Sequence, residues 1–178
     1  MTADAVALLR EAGTALAAVP PGVAAAVAAM LVAQGLVARL GLWPYALFAL
    51  PGTLAHELAH WSAAWLLRAR SRQLDLVPRR TASGWRLGAV AFQAPWWRAG
   101  PIALAPLLLA PAGLAWLVLL AAPARGGGLV LHAWLSATLL RACIPSRADL
   151  RIATPFLLLV AAAAVAAGML AWRGLSGR

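Results

Sequence analysis

Charged side chains are scarce in this chain, at 11% of its residues against about 25% in ordinary globular domains. Lysine is absent, and aspartate and glutamate together number only five. Hydrophobic residues make up 63% of the 178 positions, and the nine tryptophans suit the belts of aromatic residues found at membrane surfaces. This composition argues against a soluble protein and predicts a polytopic membrane protein.

Cysteine is nearly absent as well, since Cys143 stands alone and no internal disulfide can form. No basic stretch precedes the first apolar residues, so we expect no cleaved signal peptide. The net charge of +10 comes from arginines that lie between apolar runs, most densely in 68–98, where there are seven. Such clusters are typical of cytoplasmic loops. We therefore expect a lipid bilayer around the chain and no nucleic-acid partner.

Long apolar runs predict an all-α membrane fold in a single domain, residues 1–178, with about five transmembrane helices of roughly 20 residues each. Residues 2–19 form a mildly amphipathic segment with three charged residues, which favours the membrane interface over a span. The predicted spans are 22–40, 42–67, 101–122, 129–144 and 152–172.

A polar segment between the second and third spans has the only strand-like sequence. Residues 73–77 and 85–93 are separated by Pro78, by Arg79-Arg80 and by a turn signal at 81–84. This pattern predicts a small β-hairpin. An unstructured basic loop is the alternative.

Histidine is also rare, yet two of the three histidines occur in the run His56-Glu57-Leu58-Ala59-His60, an HExxH motif. Residues four apart share a helix face, so both imidazoles can bind one metal ion, with Glu57 placed to act as general base on a metal-bound water. Within 42–67 no other residue is charged. Ionisable groups inside a membrane segment are costly, and they are candidates for function. The alternative is a packed histidine pair beside an isolated acid.

The second span is interrupted by Pro51-Gly52, which predicts a kink or break. We expect Thr53 to cap the new helical segment, so that the HExxH motif occupies its first two turns. The arginine distribution then places the motif roughly 12–18 Å from the cytoplasmic end of its helix, at 1.5 Å per residue. The site would lie within the membrane and be reachable from the cytoplasmic side.

A catalytic zinc ion usually has three protein ligands, and the motif supplies two of them. Asp149 is the predicted third ligand, because it follows Pro145-Ser146 on the predicted cytoplasmic side. His132 lies about 25 Å away if the intervening chain is helical, near the opposite face. Asp75 in the hairpin, His132, and Cys143, a softer ligand, remain alternatives. Asp149 could instead pair with Arg147 or Arg151 at the end of the helix.

An HExxH motif in an apolar helix, followed by an aspartate in a proline-interrupted membrane segment, resembles the site-2 protease class of intramembrane zinc metalloproteases. The resemblance covers 42–150, and the Pro145-Ser146-x-x-Asp149 form is similar to that of small, divergent bacterial members. Better-known members have an asparagine where this chain has Arg141, and a glycine where it has Leu150.

The resemblance implies a zinc endopeptidase with one zinc ion per chain, ligands His56, His60 and Asp149, and Glu57 as the catalytic base. Its partner would be a membrane-protein or peptide substrate, cleaved in or near a transmembrane segment. An extended substrate could pair with strand 85–93.

We expect a multi-pass protein of the cell membrane, and high alanine and arginine without lysine suggests the inner membrane of a GC-rich bacterium. The alternatives are an inactive metal-binding scaffold and a small transporter, but no internal repeat supports a transporter.

Overall fold

The computed structural model describes residues 3–77, 79–81 and 84–176, and these are mostly helical. The α-helices, in chain order, are α1 (Ala3–Ala17), α2 (Pro21–Val37), α3 (Leu42–Phe48), α4 (Leu50–Leu66), α5 (Trp96–Leu104), α6 (Leu109–Trp116), α7 (Gly126–Ala142) and α8 (Arg147–Ser176). Short 3₁₀ segments at Ala38–Leu40 and Ala105–Leu108, and a π-helical segment at Leu117–Ala121, extend α2, α5 and α6.

Three helical stretches in the described part of the chain are long and apolar enough to cross a membrane, namely Pro21–Leu40, Trp96–Ala121 and Arg147–Arg173. The predicted helical architecture, with stretches long and apolar enough to span a membrane, is therefore confirmed, but the count of five spans is not. The other two predicted spans are shorter helices. Residues 42–67 divide into α3 and α4, and α7 has 17 residues between Arg125 and Cys143. At 1.5 Å per residue α7 is about 25 Å long, which is short for a bilayer core of about 30 Å.

The predicted interruption of the second span lies slightly earlier than expected. Helix α4 begins at Leu50, so Pro51 occupies its first turn, where the missing N–H costs nothing. The predicted cap at Thr53 is wrong, because the N-cap residue is Ala49, which makes no side-chain cap. The N–H of Thr53 instead donates to the carbonyl of Ala49 at 2.9 Å. The HExxH motif therefore starts about one turn deeper in the helix than predicted.

Helix α7 is the centre of the bundle, because α2, α4 and α6 all pack against it. Its Ala133 and Ala137 are fully buried against Val23 and Val27 of α2. On the α4 side, a Cβ atom at Gly52 would overlap the main-chain carbonyl of Thr138. Small residues allow helix backbones to approach closely in this way. The contact holds α4 against the C-terminal half of α7, where the carbonyl oxygen of Ala142 lies 2.7 Å from Nδ1 of His56.

The strands form two antiparallel pairs between α4 and α5. Strand β1 (Arg70–Asp75) pairs with β4 (Ala89–Gln93), and β2 (Arg79–Thr81) pairs with β3 (Gly84–Arg86). This confirms a small antiparallel sheet in the predicted segment, but not the predicted strand bounds. Strand β1 begins before the predicted 73–77, Arg79-Arg80 belong to β2 rather than to a connection, and the predicted second strand 85–93 is divided at Leu87-Gly88. The predicted turn residues Pro78 and 82–83 lie outside the described residues. Strand β4 also contacts α4, so the sheet lies beside the HExxH helix.

Much of the helical surface is apolar and exposed. Helix α5 packs against α8, yet beyond Pro155 the side chains of α8 are largely uncovered, with Leu158 at 65% and Leu170 at 69% exposure. A continuous apolar surface of this kind is unfavourable in water and is typical of a surface that contacts lipid or another protein.

Candidate metal centre

The two histidines of the HExxH motif face the same point. Because one helical turn separates them, their rings meet edge to face, with centroids 4.8 Å apart. The two Nε2 atoms are 3.2 Å apart. Both rings are removed from solvent, with side-chain exposures of 15% for His56 and 6% for His60.

Asp149, in the first turn of α8, completes the group. Its Oδ1 lies 3.3 Å from Nε2 of His60, and its Oδ2 lies 3.6 Å from Nε2 of His56. In a tetrahedral zinc site with bonds of about 2.0–2.1 Å, neighbouring ligand atoms are about 3.4 Å apart. The observed separations match that spacing. Among the described residues, His56, His60 and Asp149 therefore form a group that could hold a metal ion.

Main-chain carbonyls orient both imidazole rings. Nδ1 of His56 lies 2.7 Å from the carbonyl oxygen of Ala142, and Nδ1 of His60 lies 2.8 Å from that of Ile102. A carbonyl oxygen can only accept, so each Nδ1 carries a proton, and the lone pair of a neutral ring is then on Nε2. Two nitrogen lone pairs and a carboxylate then converge on one point. Such acceptors repel each other unless a proton or cation lies between them, so the donor set suits a bound cation.

Each of these carbonyls lacks its regular helical partner. The oxygen of Ile102 would normally accept from residue 106, but Pro106 has no N–H, so this oxygen accepts from the N–H of Ala105 and from Nδ1 of His60. The oxygen of Ala142 would normally accept from residue 146, but the N–H of Ser146 donates to Oδ2 of Asp149 at 2.7 Å. A proline in one case and a helix cap in the other thus leave acceptor capacity that orients the histidines.

The carboxylate of Asp149 is held by a reciprocal cap at the start of α8. Oδ2 accepts from the N–H of Ser146, and Oγ of Ser146 accepts from the N–H of Asp149 at 3.2 Å. This is the capping-box arrangement, in which the first and fourth residues satisfy each other's backbone donors. It fixes the aspartate rotamer while leaving Oδ1 directed at His60.

Glu57 is buried next to the histidines, with 8% of its surface exposed. Gly88, in the link between β3 and β4, lies directly over it. A methyl group at Gly88 would come within 2.7 Å of Cγ and 2.8 Å of Oε1 of Glu57. The glycine therefore allows the hairpin backbone to close over the glutamate.

His56, His60 and Asp149 line a cavity of about 740 Å³. Its walls come from α2, α3, α4, the Leu87–Val90 region, the end of α7 and the start of α8. Glu57 and the three metal-binding candidates all line it. A carboxylate, a group that could hold a cation and space for a ligand are therefore combined in one cavity.

The other predicted ligand candidates lie elsewhere. Asp75 pairs with Nε of Arg79 at 2.8 Å and accepts from the N–H of Val77. The thiol of Cys143 donates to the carbonyl of Leu140 at 3.1 Å. His132 packs against Trp116, with ring centroids 6.0 Å apart. Among the described residues, none of the three belongs to the group that could hold a metal ion.

Four contributors to the site were not identified from the sequence: the carbonyls of Ile102 and Ala142, the backbone at Gly88, and the side chain of Gln34. Pro106 was a signal for the carbonyl of Ile102, because proline removes the N–H that a helix directs four residues back. Gln34 is the one hydrogen-bonding side chain in the sequence of α2, which was a signal in itself. Gly88 gave no signal, because its proximity to Glu57 depends on tertiary packing.

Comparison with known proteins adds no further assignment. No protein-family model, curated protein or solved structure matches this chain.

Proposed function

We propose that this chain is an intramembrane zinc endopeptidase that hydrolyses a peptide bond in or near a transmembrane segment of its substrate. One observation carries the proposal: His56, His60 and Asp149 converge at ligand-to-ligand spacing beside a buried glutamate. The same residues open into a cavity large enough for a short extended peptide.

Zinc is the proposed ion because two imidazoles and one carboxylate are a donor set that it favours, with a fourth position left for chemistry. Bound zinc supplies Lewis acidity, which polarises a carbonyl group and lowers the pKa of water. Each imidazole is supported by a carbonyl that fixes its tautomer, as histidine ligands of metals usually are. These supports keep both Nε2 atoms directed at the ion.

Glu57 is the proposed general base. It follows His56 directly, and its burial keeps the carboxylate within the cavity rather than in solvent. It would take a proton from the attacking water and pass it to the leaving amine nitrogen. Hydrolysis then ends with a new carboxylate on one fragment and a new amine on the other.

The proposed location is the cell membrane, with several passes. Three described helices are apolar and long enough to span it. The arginine-rich region 68–98 favours a cytoplasmic position for the hairpin by the positive-inside rule, and the site would then be reached from the cytoplasm.

The proposed substrate is a transmembrane helix that has locally unwound. A helix hides its peptide bonds in its own hydrogen bonds, so the cleaved segment must be extended before attack. Within the described residues β4 pairs only with β1, and Ala89 and Val90 of β4 line the cavity. We therefore assign β4 as the edge on which the extended substrate pairs.

Cleavage of a defined peptide tests the function. The purified, zinc-loaded protein is reconstituted with a set of single-span peptides that carry helix-breaking residues at different depths, and the products are identified by mass spectrometry. We expect cleavage at one depth, its loss with a zinc chelator, and its return when zinc is added. Stoichiometric zinc with no cleavage of any peptide would favour the inactive scaffold instead.

Gly88→Ala should displace the carboxylate of Glu57 without destabilising the fold. The new methyl group meets the flexible glutamate side chain, so we expect the carboxylate to move while the melting temperature changes little. Misplacement of a catalytic group by about 1 Å can lower a rate by roughly 100-fold, so cleavage should fall by at least tenfold with zinc retained. Gly128→Ala is the matched control, because nothing lies within 4 Å of a Cβ atom there. Unchanged cleavage in Gly88→Ala would contradict this placement.

Proline substitutions along Ala89–Gln93 test the substrate edge. A proline at a position whose N–H points away from β1 removes a donor that the substrate strand would use, so cleavage should fall roughly tenfold while zinc content stays constant. Prolines at outward positions of β1 serve as controls and should leave cleavage intact. A scan of β4 with no effect on cleavage would remove β4 from the substrate-binding role.

A further inference from the structure

Gln34 is an unusual residue for its helix. Every other side chain of α2 is apolar or absent, yet Gln34 is 97% buried rather than turned to the surface. It lines the same cavity as His56, His60 and Asp149. A helix that is long and apolar enough to span a membrane thus places one amide at the proposed active site.

The amide oxygen of Gln34 lacks a partner within the described protein. No described residue donates a hydrogen bond to Oε1, although the atom is fully removed from solvent. Burial of an unpaired amide costs free energy, and nearly all buried polar groups in proteins are hydrogen-bonded. An apolar side chain of similar size would fill this position without that cost. The amide oxygen of Gln34 is therefore suited to accept its hydrogen bond from a bound ligand.

The chemistry of the cavity indicates which ligand group that is. An extended apolar segment presents few polar groups other than its main-chain amides, and these must be satisfied away from water. Oε1 is a neutral acceptor, which matches a peptide N–H. We propose that Gln34 is a substrate-binding residue, whose side-chain amide turns towards an extended peptide in the cavity and accepts a hydrogen bond from one of its main-chain N–H groups. The inference rests on the proposed function and adds a second main-chain contact to that of β4.

A binding experiment with zinc-loaded protein tests this contact without requiring turnover. The probe is an N-acetylated tripeptide hydroxamate, whose hydroxamate binds zinc. It is compared with analogues in which one amide N–H at a time is replaced by an ester oxygen. At one position the ester should weaken binding to the parent protein roughly tenfold, because a buried acceptor is left unpaired. In Gln34→Leu the same ester should change binding less than twofold, as expected for coupled partners.

Gln73→Leu is the matched control, since it makes the same chemical change at an exposed position of β1. It should keep the tenfold ester effect. Gln34→Leu should melt at the same or a higher temperature, because an unpaired buried amide is removed.

The possible failures are distinguishable. An equal ester effect in parent and Gln34→Leu, or a lower melting temperature for Gln34→Leu, would overturn the role of Gln34 and leave the protease intact. Zinc-loaded protein that binds no peptide hydroxamate would overturn the proposed function and this inference with it.

Discussion

Glu57→Gln should abolish hydrolysis while the protein still binds one zinc ion per chain. Glutamine preserves the size of the side chain beneath Gly88 but cannot accept the proton of the attacking water. General-base catalysis contributes roughly 10²–10⁴-fold, so cleavage of the single-span peptide should fall by at least about 100-fold. Zinc content should be unchanged, because the three proposed ligand side chains are untouched. Peptide cleavage and metal analysis on the same preparation measure both quantities.

The matched control is Glu11→Gln, which makes the same change at the other glutamate of the chain. Glu11 is exposed on α1 and its carbonyl accepts from Thr14, so this variant should cleave at the parental rate. Full activity in Glu57→Gln would end the assignment of Glu57 as base. Loss of zinc together with activity would instead make Glu57 part of the metal-binding group.

Asp149→Ala should lose zinc, which is the second large effect. The carboxylate is the anionic member of the group that could hold a metal ion. Loss of supporting residues around a metal typically weakens binding by roughly 10–100-fold, so loss of a ligand should exceed about 100-fold. Competition with a chelating dye measures the affinity, and peptide cleavage should disappear in parallel.

Three further variants test why zinc is lost from Asp149→Ala. The cause could be the missing ligand, the missing helix cap, or the removal of any acidic or imidazole side chain. Asp149→Asn keeps an oxygen to accept from the N–H of Ser146 but removes the charge, so it should retain the start of α8 and still bind zinc weakly. Asp75→Ala and His132→Ala should each keep one zinc ion, because both residues lie outside the metal-binding group. Zinc retained by Asp149→Ala but lost from either of those variants would reassign the third ligand.

The local part of the site could be predicted from the sequence, because periodicity fixes it. Four-residue spacing on a helix places His56 beside His60 whatever surrounds them. The break before α4 followed from Pro51, and the hairpin followed from strand-like residues around a turn signal. The cap at Thr53 was predicted wrongly, because Pro51 is tolerated within the first turn and the helix can begin before it.

The long-range part of the site could not be predicted in the same way. The approach of Gly88 to Glu57 and the burial of Gln34 depend on how the hairpin and α2 pack, which no local pattern encodes. The number of spans also depends on tertiary contacts. Helix α7 is enclosed by three neighbours, so it can be shorter than a lipid-exposed helix and still be apolar. Hydropathy alone does not distinguish these two situations.

The capping box at the start of α8 has a thermodynamic consequence. The carboxylate that faces the histidines is also the one that holds the first turn of α8 in place. Any cation bound there is therefore linked to the folding of that turn, and its binding free energy stabilises the helix by mass action. A local opening of α8 would release the ion, and loading would suppress the opening. Metal occupancy and amide hydrogen exchange at Ser146 and Asp149 thus report the same equilibrium.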